Sequence, residues 1–182
     1  MHRPLMIAGI GYLVVCAVVA IRHQPRTEAP VPSTPDEWFA AIRPTCNAVE
    51  VEVSQRRHPA PSTVDGQGYS AACYALGGRI DSARAVINRL PSGDRAQAAG
   101  IVFNVGHPVA DVGDDRSAGP IMELVLEYQP DQYMALYHAG MSEYALGQPG
   151  KARRHLQSFL SLYHENDGWT FNARSVLQRM RP

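Results

Sequence analysis

The sequence predicts an all-α protein in which antiparallel helix pairs stack into a short solenoid, with one transmembrane helix at the N-terminus. Apolar residues recur at helical spacing through most of the chain, and no β-hairpin or βαβ pattern is present. Similar residues also recur at intervals of 34 and 35 positions, which indicates a structural repeat. An apolar run of 18 residues without a charge lies near the start of the chain and is long enough to cross a bilayer.

Length and composition limit the functions that the chain can carry. Its 182 residues suit one modest domain and a short additional segment. The formal net charge is +0 and no basic stripe is present, so we expect no nucleic-acid partner. No motif for a cofactor, a metal ion or a small-molecule substrate occurs, and we therefore expect none of these.

Residues 1–22 are predicted to form the transmembrane anchor. The uncharged stretch at 4–21 gives about 27 Å of helix, which matches the hydrocarbon core of a bilayer, and membrane lipid is expected around it. Gly9 and Gly11 would allow a neighbouring membrane helix to approach closely. Positive charges lie on both sides of the stretch, so they do not decide its orientation.

Two other interpretations of this segment stay open. A secretory signal could be cleaved near the small residues Val18 and Ala20. A lipoprotein signal could use Cys16, although Val15 before it is bulkier than that processing usually accepts. We favour the uncleaved anchor, because the apolar run continues without interruption to Arg22.

The Pro-rich segment 23–34 is predicted to be an extended linker that carries the domain at 35–182 away from the membrane. A helix start is expected at 33–37, where hydroxyl residues, a proline and two acidic residues come in succession. A hydroxyl side chain caps the first free N–H groups of a helix, and acids are stabilised at its positive end. The domain should therefore open on a well-defined helix.

The apolar pattern and the turn residues predict nine helices with short connections. The alternating stretch at 49–53 could be a strand, but its flanks favour a helix. Pro108 is expected to end one helix early and Gly119–Pro120 to delay the next, so that a loop at 109–117 protrudes. The predicted helices span about 35–43, 44–57, 67–76, 81–90, 94–107, 118–128, 131–146, 150–163 and 169–179.

Comparison of the sequence with itself identifies the repeat. The tetrapeptide Tyr-Ala-Leu-Gly occurs at 74–77 and again at 144–147, a separation of 70 residues or two units of 35. A finer correspondence appears at a spacing of 34. The pairs at this spacing are Gly106 with Gly140, Gly113 with Gly147, Ala118 with Ala152, Val102 with Leu136, Met122 with Leu156, and Leu126 with Leu160.

This pattern resembles the tetratricopeptide repeat family, in the form carried by membrane-anchored bacterial proteins. That family has a small residue in the middle of its first helix, a glycine at the turn and an alanine early in its second helix. The clearest copy spans 133–166, a looser copy lies around Tyr74 and Ala83, and the resemblance covers about 67–182. The matching positions of the clearest copy are Leu136, Gly140, Tyr144, Gly147, Ala152, Leu156, Phe159 and Leu160.

The resemblance implies close helix packing and a concave groove. Tyr133 and Tyr137 could line this groove, where repeat proteins bind a peptide or a helix, or they could belong to the core. The helix after residue 168 would cap the last pair. The residues expected to form the helix packing are Gly106, Gly140, Gly147, Ala118, Ala152, Leu156 and Phe159.

Cys46 and Cys73 are the two cysteines outside the predicted anchor. A disulfide between them would require an oxidising compartment, whereas two buried thiols would suit a reducing one. We favour the oxidising compartment, which corresponds to a single-pass protein of the inner membrane with a periplasmic domain.

Side chains that could carry chemistry are scattered along the chain. His138 and His155 lie on neighbouring predicted helices and could meet, but isolated helix histidines are the more common case. Asp111, Asp114 and Asp115 lack the further ligands of a calcium loop and are expected to be solvated. No catalytic motif is present, so we do not expect an enzyme.

The function that these observations favour is a non-catalytic, membrane-anchored scaffold. Its partners would be other subunits of a membrane protein complex, and an electron-transfer or photosynthetic reaction-centre assembly is the complex that we prefer. One alternative is a transient periplasmic chaperone or assembly factor that binds peptides of envelope or membrane proteins. A further alternative is an enzyme, which the sequence favours least.

Overall fold

The computed structural model describes residues 34–180, and within this range the regular structure is entirely helical. The predicted anchor at 1–22, with Gly9 and Gly11, and all of the linker except Thr34 lie outside the described residues. Between residues 34 and 180, none of the helices has the length and apolar character needed to cross a bilayer. The described helices are α1 (Pro35–Ile42), α2 (Val51–Arg57), α3 (Val64–Leu76), α4 (Ile80–Asn88), α5 (Arg95–Asp111), α6 (Asp115–Leu126), α7 (Tyr133–Ala145), α8 (Pro149–Leu162) and α9 (Gly168–Arg179).

Helix α1 begins as the sequence predicts. The Thr34 side chain accepts a hydrogen bond from the Glu37 backbone N–H, and the Glu37 carboxylate accepts one from the Thr34 backbone N–H. This capping box satisfies two groups that a helix start otherwise leaves without a partner. Trp38, Phe39 and Ile42 then turn inwards and are buried.

Cys46 and Cys73 form a disulfide that ties the segment after α1 to helix α3. Cys73 is fully buried, and the two Cα atoms are 4.8 Å apart. The Trp38 indole N–H also donates to the His58 carbonyl at 3.1 Å. The disulfide therefore fixes the N-terminal segment to α3, and the hydrogen bond joins α1 to the end of α2.

Three helix pairs follow within the described residues: α3 with α4, α5 with α6, and α7 with α8. Helix α5 also packs against α3, and α7 packs against α6, so each pair stacks on the next. Helix α9 contacts both members of the last pair. This arrangement confirms the all-α fold and the likeness to a helical repeat, in which stacking covers apolar surface that one pair leaves open.

The turn inside each pair has the same conformation. Gly78, Gly113 and Gly147 follow the first helices at spacings of 35 and 34 residues, with φ of 71°, 78° and 73°. Only glycine adopts this left-handed conformation without steric cost. In each turn the residue after the glycine donates its backbone N–H to the carbonyl five positions earlier. These hydrogen bonds run from Arg79 to Tyr74 at 2.9 Å, from Asp114 to Val109 at 3.2 Å, and from Gln148 to Glu143 at 2.7 Å.

Small residues set the distance between the helices of a pair. Ala83, Ala118 and Ala152 occupy equivalent positions in the second helices and are completely buried. A Cβ atom added at Gly106 would lie 2.6 Å from Ile121 Cγ2, and one at Gly140 would lie 2.7 Å from Leu156 Cγ. The helices therefore approach too closely at both positions for any larger residue.

The prediction of a distorted middle pair was wrong. Helix α5 continues through Pro108 to Asp111, and Pro120 lies inside α6, so no long loop protrudes at 109–117. A proline removes only its own N–H bond, and only three helical residues follow Pro108. Pro120 is the sixth residue of α6, so the carbonyl that loses its partner lies in the first turn.

Helix α2 begins at Val51, within the alternating stretch at 49–53. The sequence pattern predicted that this helix begins at Pro44. Pro44 lies instead in a short 3-10 turn at Arg43–Thr45. Val51 is fully buried, whereas Val49 is 85% exposed because it precedes the helix. The helical interpretation of this stretch is correct for residues 51–53, and the helix begins seven residues later than predicted.

Candidate functional site

Aromatic rings connect the first helices of successive pairs. Phe103 and His107 of α5 stack with ring centroids 4.9 Å apart, and His107 meets His138 of α7 edge-on at 4.8 Å. His138 in turn meets Trp169 of the capping helix α9 at 5.7 Å. These contacts join α5, α7 and α9 along one row.

A cleft of about 310 Å³ opens where α1, α3 and α5 meet. Phe39 and Tyr69 stack on one another in its wall, with ring centroids 4.8 Å apart, and Val105 adds a further apolar surface. Arg43 and Asn104 are exposed and supply one cation and one amide to the same cleft. Apolar walls with a few polar groups suit a protein segment that inserts one or two side chains.

One wall of the cleft is held by an exposed hydrogen bond. The Tyr69 hydroxyl donates to the Asp36 carboxylate, which links α3 to α1. This hydrogen bond, together with partial burial, raises the pKa of Tyr69 to about 12. The phenol therefore stays protonated and keeps donating at any physiological pH.

The structure separates the two tyrosines that the sequence assigned to a groove. Tyr133 is 42% exposed and stacks on Tyr163 at 5.1 Å, so its ring remains accessible. Tyr137 is 4% exposed because it is enclosed by Phe159 at 5.1 Å and Trp169 at 4.9 Å. Burial also raises the pKa of Tyr137. Tyr137 is thus a core residue with little surface to offer a partner.

The residues assigned to helix packing lie inside the repeat. Ala118, Ala152, Leu156 and Phe159 are completely buried. Gly106 and Gly140, at the close approaches between helices, and Gly147, in a left-handed turn, complete this set. These residues hold the face formed by α3, α5, α7 and α9 in place rather than contacting a partner directly.

The histidines do not pair as the sequence suggested. His138 contacts His107, with the two Nε2 atoms 2.9 Å apart, whereas His155 Nδ1 lies 2.8 Å from Glu143 Oε2. Burial and then the neighbouring His107 lower the pKa of His138 to about 4, with Asp111 opposing. Asp111 is also not a loop residue, since it is the last residue of α5.

A buried carboxyl group at Glu143 was not identified from the sequence. Its side chain is 3% exposed, and Oε1 has no hydrogen-bond partner among the described residues. Glu123 lies beside it and binds Lys151 Nζ at 2.7 Å. Burial raises the pKa of Glu143, whereas at Glu123 the raising effect of burial is outweighed by the hydrogen bond from Lys151.

Glu143→Gln is expected to gain stability relative to the wild type as the pH rises from about 5 to about 8. Because the folded-state pKa of Glu143 is raised, its stabilising contribution is present below the unfolded-state pKa and is lost as the pH rises. The amide of the variant does not titrate and keeps nearly the same shape. Urea unfolding of both proteins at several pH values measures the difference; a constant difference across the range would show that Glu143 is charged throughout.

One comparison with known proteins found a relationship. The family model for the tetratricopeptide repeat matches residues 134–164, which correspond to α7 and α8. Comparisons with curated proteins and with solved structures gave no significant match. The matched segment is the same unit that has the buried Ala152, the close contact at Gly140 and the left-handed Gly147. This chain therefore carries a tetratricopeptide-like repeat, and proteins of that family are generally non-catalytic scaffolds for protein–protein contacts.

Proposed function

We propose that the domain binds another protein through the face formed by its first helices, and that the cleft between α1, α3 and α5 is the centre of this surface. The observation that carries the proposal is the stack of three similar helix pairs with a matched tetratricopeptide-like unit. Stacked helix pairs create a concave surface that repeat proteins use for binding. In this domain α7 is largely buried, so the accessible part of the first-helix face lies at α5 and the cleft.

The exposed groups at this face fit a protein partner. The cleft offers the half-buried ring of Tyr69, which stacks on the buried Phe39, and large aromatic side chains dominate binding energy at many interfaces. Arg43 adds a cation at the edge, where it can pair with a carboxylate of the partner. The α1 wall is held by the Cys46–Cys73 disulfide, so little ordering cost is expected on binding.

We further propose that the protein is an accessory subunit of a membrane complex. The apolar stretch at 4–21 and the Pro-rich segment 23–34 support a tethered domain, and a tether raises the effective concentration at the membrane. The disulfide supports a position on the periplasmic side, where disulfides persist. We prefer an electron-transfer or photosynthetic reaction-centre assembly, because the chain is small and neutral and lacks cofactor motifs of its own.

A photo-crosslinking amino acid at Asn104 tests the proposed surface. Asn104 is exposed and lines the cleft, so the substitution should leave the fold intact and place the probe against the partner. Gln157 is a matched control, because it is exposed on the second helix α8. Both full-length variants would be irradiated in native membranes and analysed by mass spectrometry.

We expect a discrete adduct from position 104 and none, or much less, from position 157. Many unrelated adducts from position 104 would support the alternative of a transient chaperone at the same surface. Equal adducts from both positions, or none from position 104, would contradict a binding surface on the first helices.

A further inference from the structure

We propose that His107, Asp111 and His138 form a binding site for one divalent transition-metal ion, for which Zn²⁺ is the best fit. These residues place one ligand atom each within 4.8 Å of one another. Two of them come from α5 and the third comes from α7, so an ion here would join the first helices of two successive pairs. The site does not depend on the protein partner proposed above.

The distances between the three ligand atoms match a metal centre. His107 Nε2 and His138 Nε2 are 2.9 Å apart, and Asp111 Oδ1 lies 3.6 Å from the first and 3.7 Å from the second. The circle through these three atoms has a radius of about 2.0 Å, so an ion about 0.7 Å out of their plane would lie about 2.1 Å from each atom, within the usual range of Zn²⁺ bonds to imidazole nitrogen and carboxylate oxygen. The edges of the triangle average about 3.4 Å, as expected for a tetrahedron with bonds of about 2.1 Å.

The donor set also fits this class of ion. Two imidazoles and one carboxylate are typical ligands of Zn²⁺ and other late divalent metals, whereas Mg²⁺ and Ca²⁺ prefer oxygen alone. Three protein ligands leave a fourth position open, which a water molecule or a group from a partner could fill. Asp111 is exposed, so an ion can enter the site from solvent.

Neighbouring rings hold both imidazoles in their present orientation. His107 stacks on Phe103, and His138 lies edge-on to Tyr137 and Trp169. His107 and Asp111 are four residues apart on α5 and therefore share one face of that helix. Fixed ligands lower the cost of ordering a site when the ion binds.

The competing explanation is a hydrogen bond between two neutral histidines. It accounts for the 2.9 Å contact, with one Nε2 donating and the other accepting. It does not account for Asp111, whose Oδ1 lies beyond hydrogen-bond distance of both rings yet nearly equidistant from them. A bound ion explains why all three groups converge on a single point.

Metal binding to the untagged full-length chain in mild detergent tests the proposal. After treatment with a chelator, the protein would be titrated with Zn²⁺ by calorimetry and with Co²⁺ by visible absorption, which reports tetrahedral coordination. The variants are His107→Gln and Asp111→Asn, since both side chains are partly or fully accessible and their loss should not prevent folding. His155→Gln is the matched control, because His155 also contacts a carboxylate but belongs to no cluster of three close ligand atoms within residues 34–180.

We expect one ion per chain in the wild type and in His155→Gln. Loss of a residue that only supports a ligand typically weakens metal binding by about 10–100-fold. His107→Gln and Asp111→Asn each remove a ligand itself, so each should weaken Zn²⁺ binding by more than this. Zn²⁺ should also raise the unfolding temperature of the wild type but not that of His107→Gln. The proposal fails if the wild type binds neither ion, or if His107→Gln and Asp111→Asn bind as tightly as the wild type.

Discussion

Gly140→Leu is expected to lower the free energy of unfolding of the domain by about 1–3 kcal/mol or more, because it overpacks the contact between α7 and α8. A Cβ atom at this position would lie 2.7 and 2.8 Å from two side-chain carbons of Leu156, and 3.2 Å from the Leu156 backbone nitrogen. Leu156 is completely buried, so its side chain has no open space into which it can move. The two helices would have to separate, and the core around Phe159 would lose contacts.

Chemical unfolding of the full-length protein in detergent, followed by circular dichroism, measures this effect. Gly150→Ala is the matched control, since Gly150 is also a helical glycine but no atom of the part of the chain that the structure describes lies within 4 Å of its added Cβ. In an open helical position this change is expected to be neutral or to stabilise by roughly 0.5–1 kcal/mol. Wild-type stability in Gly140→Leu would mean that α7 and α8 do not pack at this glycine.

Removal of the Cys46–Cys73 disulfide is expected to destabilise the domain by about 3–4 kcal/mol, from the chain entropy of the loop that it closes. The two cysteines are 27 residues apart in sequence, so their bond restricts a long segment of the unfolded chain. The segment between the two cysteines contains α2, and its end in α3 carries Tyr69 of the cleft wall. Without the disulfide, the N-terminal helices should therefore separate from α3 first.

The double variant Cys46→Ala/Cys73→Ala and the reduced wild type provide two independent measurements of this effect. They should agree within experimental error, since both leave small apolar groups at these positions. Mass mapping without reductant should find the two cysteines linked in protein taken from native membranes. Two alkylatable thiols in that native protein would contradict the disulfide and remove the main support for a periplasmic domain.

Local signals in the sequence were sufficient for much of the fold. The hydroxyl cap at Thr34 and the turn glycines at Gly113 and Gly147 each act within a few residues, so their structural role can be recognised without knowledge of distant contacts. The match between Ala118 and Ala152 likewise follows from spacing alone, because equivalent positions in stacked units face the same environment.

The errors arose where the outcome depends on distance from a helix end or on tertiary contacts. The sequence predicts that Pro108 stops α5, but the helix continues for three residues beyond it despite the lost hydrogen bond and the crowding of the carbonyl four residues earlier. For Tyr137 the sequence left both the groove and the core open, and the position of Trp169 on α9 shows that its ring is enclosed. The surroundings of Tyr137 come from another part of the chain, which a local pattern does not report.

The candidate metal ligands illustrate the same limit. His107 and Asp111 have helical i, i+4 spacing, which the sequence shows, but the expected end of α5 at His107 hid this relationship. His138 lies 31 residues beyond His107, and the two meet only because α5 and α7 are first helices of successive pairs. No spacing rule for metal ligands covers such a separation.

Purification of the untagged protein from its native membranes in mild detergent tests the central claim most directly. An accessory scaffold should migrate in a complex much larger than its own 19.9 kDa, with a constant set of partner proteins in fixed ratio. Disruption of the cleft by Asn104→Arg should release this chain from the complex, while Gln157→Arg should not. A protein that runs alone and monomeric under the same conditions would contradict a role as a scaffold within a membrane complex.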